Sequence, residues 1–377
     1  MIRNKDKPKK ISLFLPSVQC GGAELLTITL ANDWSKRGYE VDLIIILRTS
    51  SAEEEIFSLI APSVNIVTLH SKRFLSSIIP IAFYFRKAKP DFSIAAMWPL
   101  TIICILSWLL SGRCGKLFIS DHTQLSISLV HELNVNKLAL RASIFIFYRF
   151  VSGIIAVSKG VRDDISFLGK LSQNKIEVIY NPASTKKLEA AIFTHDPFLD
   201  LWQDPGYKIL AAGTLKEQKD FPTLIKAINE ISMDKKVSLI ILGEGPERSK
   251  LESLIESFGL SENIALPGYT KETLPYFQSA DLFVLSSAWE GFGNVLVESL
   301  ECGTPIVSTD CKSGPSEILN NGEFGKLIPV GDFVAAARGI EEVLMADHNP
   351  ERLRNRAELF SVERISSQYL EYFQAVK

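Results

Sequence analysis

The stretch that decides the fold runs from Asp281 to Cys302, DLFVLSSAWEGFGNVLVESLEC. Asp281 to Ser286 is an apolar run of strand length, Gly291 and Gly293 permit a tight backbone path, and Val295, Leu296 and Leu300 recur at helical spacing through Cys302. A strand, a glycine turn and a helix start therefore follow one another. The N–H groups and the positive dipole end of such a helix favour an anion, and glycine lets the backbone approach it closely. Glu290 precedes this anion site and Glu298 lies about a turn inside the helix. Carboxylates so placed can accept hydrogen bonds from the hydroxyls of two sugars on either side of a diphosphate, the transferred one and a ribose. The same spacing also describes a solvated strand-to-helix loop with two surface glutamates.

The pattern repeats along the chain. In the first half Ile11–Leu15, Val41–Leu47, Val64–Leu69, Ser93–Met97, Leu117–Ser120, Gly153–Val157 and Ile176–Tyr180 read as strands, with helices such as Ala23–Arg37, Lys137–Val151 and Lys159–Leu168 between them. In the second half the strands are Lys208–Ala212, Val237–Leu242, Asn263–Leu266, Asp281–Ser286, Pro305–Ser308 and Gly325–Ile328. Helices Phe221–Ile231, Pro246–Phe258, Leu274–Gln278, Val295–Glu301 and Val334–Met345 alternate with these strands. Such alternation predicts α/β architecture, two Rossmann-like domains built on doubly wound parallel sheets. The 377 residues suit two domains. The boundaries expected are 1–182 and 183–360, with a linker around Pro182–Gly206 and a final helix, within 361–377, packed back on the first domain. Open α/β sheets bind ligands at the carboxyl ends of their strands, so the active site is expected in a cleft between the domains.

Composition narrows the class further. The 46% hydrophobic and 22% charged fractions are those of a globular chain. Cys20, Cys104, Cys114, Cys302 and Cys311 are scattered and odd in number, which fits a reducing compartment and no zinc site. Ile11–Leu15 is too short, and too soon followed by Pro16, for a signal-peptide core. Ile94–Leu110 is uncharged over 17 residues, the lower edge of spanning length, yet Pro99 divides it into a buried strand and a buried helix. The net charge of −2 conceals a division: residues 1–182 carry 22 Lys and Arg against 14 Asp and Glu, whereas residues 183–377 carry 19 against 29. A basic first half with aromatics at 145–150 suits an anionic lipid surface, and equally an amphipathic core helix with a solvated basic edge.

Other loops end predicted strands. Cys20-Gly21-Gly22-Ala23-Glu24 opens the first helix, where glycine admits a phosphate, but lacks the full dinucleotide fingerprint, so a nicotinamide site is not indicated. Ser120-Asp121-His122-Thr123 puts an imidazole at the functional edge, for a sugar hydroxyl, for acid/base work or for structure alone. Gly213 to Phe221 carries Lys219, a compact cation for a diphosphate or an ordinary surface lysine. Gly243-Glu244-Gly245-Pro246 and Pro267-Gly268-Tyr269 can wall a base or ribose.

Together these motifs resemble family 4 of the retaining glycosyltransferases, which have the GT-B fold and use nucleotide sugars. GGAE at 21–24, SDH at 120–122, VSKG at 157–160, NP at 181–182, GTLKEQKDF at 213–221, GEGP at 243–246, EGFGNVLVE at 290–298 and CGTPIV at 302–307 carry the resemblance. It implies that His122, Lys219 and Glu290 form the catalytic set. The donor is implied to contact Gly22, Thr214, Gly268, Tyr269, Gly291, Phe292, Gly293, Asn294, Val295 and Glu298, with Glu290 on the donor sugar, Glu298 on the ribose and Lys219 on the diphosphate. Where the family usually pairs an arginine with that lysine, this chain has Thr214; Lys216 and Lys312 are the candidate replacements. The resemblance implies transfer, with retention, of a hexose or N-acetylhexosamine from a UDP-sugar to a glycan acceptor, in particular a lipid-linked one, in cell-surface polysaccharide, lipopolysaccharide or glycoprotein-glycan assembly. It further implies a cytoplasmic chain, peripheral on the inner membrane, with no cofactor, no metal and no nucleic acid. A non-catalytic nucleotide-sugar-binding protein and a glycoside hydrolase are the alternative readings.

Overall fold

The computed structural model describes residues 8–17, 22–47, 57–71, 73–131, 135–183, 202, 205–231 and 236–376. The Cys20-Gly21 part of the first loop and most of the expected linker lie outside them. The chain divides into two compact units, Met1–Pro182 with Val362–Lys377, and Ala183–Ser361.

The first unit holds seven parallel strands: β1 Lys10–Leu15, β2 Glu40–Leu47, β3 Asn65–Ser71, β4 Phe92–Ala96, β5 Lys116–Asp121, β6 Gly153–Ala156 and β7 Ile176–Val178. They lie in the order β3-β2-β1-β4-β5-β6-β7. Ile11 stands level with Val41 on one side and Phe92 on the other. Because strand side chains alternate, Leu13 and Leu15 join one core while Ser12 and Phe14 meet the opposite helix layer. On the first face helix Gly22–Lys36 packs with the final helix Val362–Ala375. There the Phe373 ring lies 4.4 Å from Phe118 and 5.7 Å from Trp34, centroid to centroid. On the second face Phe14 meets Phe85 at 5.3 Å, and Ser12 shares a 2.6 Å hydrogen bond with Tyr84, both from helix Ile78–Ala88. Burying such side chains stabilises the fold by roughly 1.5–3 kcal/mol each relative to leaving them exposed.

The 94–110 stretch resolves as the sequence indicated. Its strand is β4 and its helix is Leu100–Leu110, with Leu100, Ile103, Cys104, Ile105 and Trp108 buried. Among the described residues no helix is long and apolar enough to cross a membrane.

The second unit repeats the plan with β8 Tyr207–Ala212, β9 Val237–Leu242, β10 Ile264–Gly268, β11 Leu282–Leu285, β12 Ile306–Thr309 and β13 Lys326–Ile328. All pair in parallel, in the order β10-β9-β8-β11-β12-β13. Strand order reverses between β8 and β11. A reversal of this kind opens a crevice at the carboxyl ends of the strands, because the following helices depart to opposite faces.

Candidate functional site

That reversal point is where the second unit gathers its polar side chains. The loop after β8 carries Lys219 and the loop after β11 carries Glu290, 71 residues later, with Lys219 Nζ 2.5 Å from Glu290 Oε1. The two loops are latched along their length. Gln218 Nε2 donates to the Trp289 carbonyl at 2.9 Å, the Ala288 N–H donates to the Gln218 carbonyl at 2.8 Å, and Ser286 Oγ donates to the Lys219 carbonyl at 2.7 Å. Glu290 is buried. Its Oε1 also accepts from Ser287 Oγ at 2.7 Å, and the Ser287 carbonyl in turn accepts from Thr309 Oγ1, at the end of β12, at 2.6 Å. A cation and a carboxylate largely shielded from water hold each other more firmly than a surface pair, and the serine fixes the carboxylate's direction.

The anion turn follows directly. Gly293, at φ 101°, caps helix Asn294–Cys302 in the left-handed region, a conformation glycine adopts without a Cβ penalty. Having no side chain, it offers no capping oxygen of its own, while its carbonyl accepts from the Leu296 N–H at 3.0 Å; the N-terminal end of a helix favours an anion through its dipole. The turn is braced by the loop after β12. Ser313 Oγ donates to the Gly291 carbonyl at 2.9 Å, and a Cβ on Gly314 would stand 1.8 Å from the Phe292 carbonyl oxygen. Gly291, Phe292, Gly293, Asn294 and Val295 thus lie in one supported segment at the carboxyl edge of the sheet.

Glu298 lies one turn further along this helix. Thr273, which precedes helix Leu274–Ser279, donates through Oγ1 to Glu298 Oε2 at 3.4 Å. Burial pushes the Glu298 carboxyl up to about 7, with the Thr273 hydrogen bond opposing and Glu301 adding to the shift. Gly268 ends β10 at φ 98°, its carbonyl accepting from the Gly243 N–H at 2.8 Å; Tyr269 beyond it is exposed. Thr214 and Lys312 are exposed and Lys216 half-buried, all in loops at the same edge.

In the first unit Gly22 opens the first helix and is exposed. His122 follows β5 directly, its Nε2 3.2 Å from Ser120 Oγ. Burial holds its imidazole down at about 4, so it is neutral near pH 7 and serves as a hydrogen-bonding group rather than a cationic acid. Its neighbour Asp121 accepts from Tyr148 Oη at 2.9 Å, and burial pushes that carboxyl up to about 7. Among the described residues neither Asp121 Oδ1 nor His122 Nδ1 has a hydrogen-bond partner. Such groups cluster where a polar ligand is expected to complete them.

The structure brings Lys219, Glu290 and the 291–295 turn together, with Glu298 on the helix that follows, and adds a Lys219–Glu290 ion pair that the sequence did not indicate. Ser287, Thr273 and Thr309 were not singled out, and Ser313 is legible in the sequence only as part of the glycine-bearing loop 313–317 that leads into a helix. Ser286-Ser287 immediately after a strand was the available signal for Ser287; the contacts of the others become visible only once the loops meet. Among the described residues no three His, Cys, Asp or Glu side chains group as metal ligands.

Two family models match the chain: Glycosyltransferase Family 4 over residues 20–187 and Glycosyl transferases group 1 over residues 197–360. The chain is 28% identical to N-acetylgalactosamine-N,N'-diacetylbacillosaminyl-diphospho-undecaprenol 4-alpha-N-acetylgalactosaminyltransferase of Campylobacter jejuni, over 97% of this chain and 99% of that protein. It is 32% identical to the lipopolysaccharide core biosynthesis glycosyltransferase LpsE of Rhizobium meliloti, over 60% of this chain and 65% of LpsE. Its fold matches HepE of Anabaena, solved in complex with UDP, with a TM-score of 0.80 at 21% identity over 97% of this chain and 100% of HepE. HepE belongs to the GT-B fold, and so does this chain.

Proposed function

As the chain belongs to family 4 of the glycosyltransferases, we propose that it transfers a hexose or N-acetylhexosamine from a UDP-sugar to a lipid-linked glycan, with retention of anomeric configuration, in cell-surface polysaccharide assembly. The observation that carries the reading is the latched Lys219–Glu290 pair beside a glycine-capped helix start. As the bond from C1 to the diphosphate oxygen breaks, negative charge grows on the leaving group. The Lys219 ammonium and the first-turn N–H groups supply fixed positive potential there, without a metal in the proposed scheme. Glu290, held by Ser287, accepts from hydroxyls of the transferred sugar, and Glu298 from the ribose. Thr214 cannot add a second cation, so Lys216 and Lys312 are assigned that role. His122 is assigned to a hydroxyl of the transferred sugar, and Gly22 to backbone contact with the diphosphate.

The names of the relatives support the acceptor: the Campylobacter protein is named for a diphospho-undecaprenol glycan and LpsE for lipopolysaccharide core. The UDP bound by HepE supports the donor. A panel of nucleotide sugars followed by thermal shift tests the reading, since a ligand of the native state raises apparent stability with its concentration. A UDP-sugar is expected to shift the melt and to release UDP when acceptor is added. No shift and no UDP release with any UDP-sugar would sink the proposal.

A further inference from the structure

His122 follows β5, whose end is pinned from both sides. The Met97 N–H donates to the Ser120 carbonyl at 3.0 Å and the Val157 N–H to the Asp121 carbonyl at 3.3 Å, so the chains leaving β4 and β6 fix the backbone just before the histidine. Side chains alternate along a strand, and they part here to opposite faces. Asp121 turns to the second helix layer, where its Oδ2 accepts from Tyr148 Oη at 2.9 Å, and Tyr148 Oη lies 3.1 Å from Thr101 Oγ1. Ser120 turns to the face covered by the final helix Val362–Ala375, and its Oγ lies 3.2 Å from His122 Nε2. With the backbone held, that contact settles the remaining rotation of the imidazole.

A neutral imidazole has one N–H and one bare nitrogen, and the hydrogen bond made by one nitrogen decides which is which. Nε2 is engaged by Ser120, which leaves Nδ1, buried and without a partner among the described residues, for a ligand. The direction of the Ser120 hydroxyl therefore sets what Nδ1 can offer. Behind Ser120 stands Tyr369 of the final helix, buried, its ring 6.0 Å from Trp34 and 6.1 Å from Phe373. Burial pushes its phenol up to about 12, with Ser120 opposing the shift, and no other described group engages its hydroxyl. A phenol is the stronger donor of the two hydroxyls, so Tyr369 offers its hydrogen toward Ser120 Oγ and the Ser120 hydrogen is free to point at Nε2. The imidazole then carries its own hydrogen on Nδ1.

We propose that Ser120 is a positioning residue for His122, donating to Nε2 so that Nδ1–H is the group presented to the sugar, with Tyr369 setting the direction of the chain. The sugar hydroxyl that meets His122 then accepts a hydrogen bond rather than donating one. The proposal deepens the assignment of His122 made above and rests on it for the identity of the ligand alone. The test is a long-range proton–nitrogen NMR correlation of the full chain isotopically labelled at histidine nitrogen, which distinguishes the two neutral tautomers. Five histidines give five ring patterns, and the spectrum of His122→Gln identifies the relevant one. The wild type near neutral pH is expected to show the hydrogen on Nδ1. Ser120→Ala is expected to move it, in whole or in part, to Nε2; Ser120→Thr, which restores the hydroxyl, to return it; and Tyr369→Phe to leave a mixture. In thermal shift a UDP-sugar should lose roughly three- to tenfold in affinity on Ser120→Ala, the worth of one hydrogen bond, and recover with Ser120→Thr, while UDP alone binds as to wild type. A hydrogen on Nε2 in the wild type overturns the proposal. So does Ser120→Ala with an unchanged tautomer, or an equal loss for UDP and UDP-sugar, which marks a merely structural role. A wild type with the expected tautomer that binds no UDP-sugar upholds the hydrogen-bond chain and counts against the transferase reading instead.

Discussion

Replacing Glu298 by Gln is expected to stabilise the unliganded protein at alkaline pH while weakening its hold on a nucleotide sugar. The carboxyl is half-buried on helix Asn294–Cys302, and burial raises it from 4.5 to about 7. The folded chain therefore binds this proton more tightly than the unfolded chain does, so its stabilising effect is complete below pH 4.5 and is lost as pH rises through about 7. The full shift corresponds to roughly 3 kcal/mol, and partial exposure reduces this to on the order of 2 kcal/mol. Glutamine does not titrate. The melting temperature of Glu298→Gln minus that of wild type should accordingly grow by roughly 4–8 °C between pH 5 and pH 8. Calorimetric titration with donor gives the complementary sign. Hydroxyls donating to the carboxylate favour its charged form, so wild-type affinity should climb toward pH 7 and level off above it, whereas the variant stays flat. A melting difference that is constant with pH, or a variant less stable than wild type chiefly at pH 8, would refute the reasoning.

Lys219→Ala should lower kcat roughly 100-fold while leaving Glu290 held by Ser287; steady-state kinetics with unchanged turnover would remove Lys219 from the chemistry. Gly314→Ala touches no donor atom in the proposed scheme, yet its Cβ would stand 1.8 Å from the Phe292 carbonyl at a backbone φ of 90°. Donor affinity measured by titration should fall at least about tenfold with a lowered melt, as expected where positive φ and a backbone clash coincide. Phe373→Ala should cost about 3–5 kcal/mol in urea unfolding, because the ring fills the space between Trp34, Phe92 and Phe118. A loss under about 1 kcal/mol would mean that the final helix is not anchored there.

Both sheets were legible because parallel strands are covered on two faces and so read as unbroken apolar runs. Val237–Leu242 is the clearest case, buried at every position. Edges were less certain where the physics is local. Helix Lys137–Phe147 stops four residues short of the apolar run that extends it, since Tyr148 continues into the core to meet Asp121 after the helix has ended. Strand β10 runs on through Pro267 to Gly268 by way of a register shift against β9, which period-2 reading cannot anticipate. At the site, the glycine turn and both glutamates were visible as a motif. The ion pair was not, because Lys219 and Glu290 meet only through the adjacency of β8 and β11, a crossover that no local pattern encodes. The Glu298 shift likewise comes chiefly from burial, which only the folded surroundings supply, with the Thr273 hydrogen bond opposing it.

The measurement that bears most directly on the proposed chemistry is time-resolved proton NMR of the anomeric signal during turnover of an α-configured UDP-sugar with an undecaprenyl-diphosphate-linked acceptor. An α-linked glycosyl product accumulating in step with UDP is the expected result. A β-linked product, or UDP appearing only with free sugar and never with a glycosylated acceptor, would contradict it.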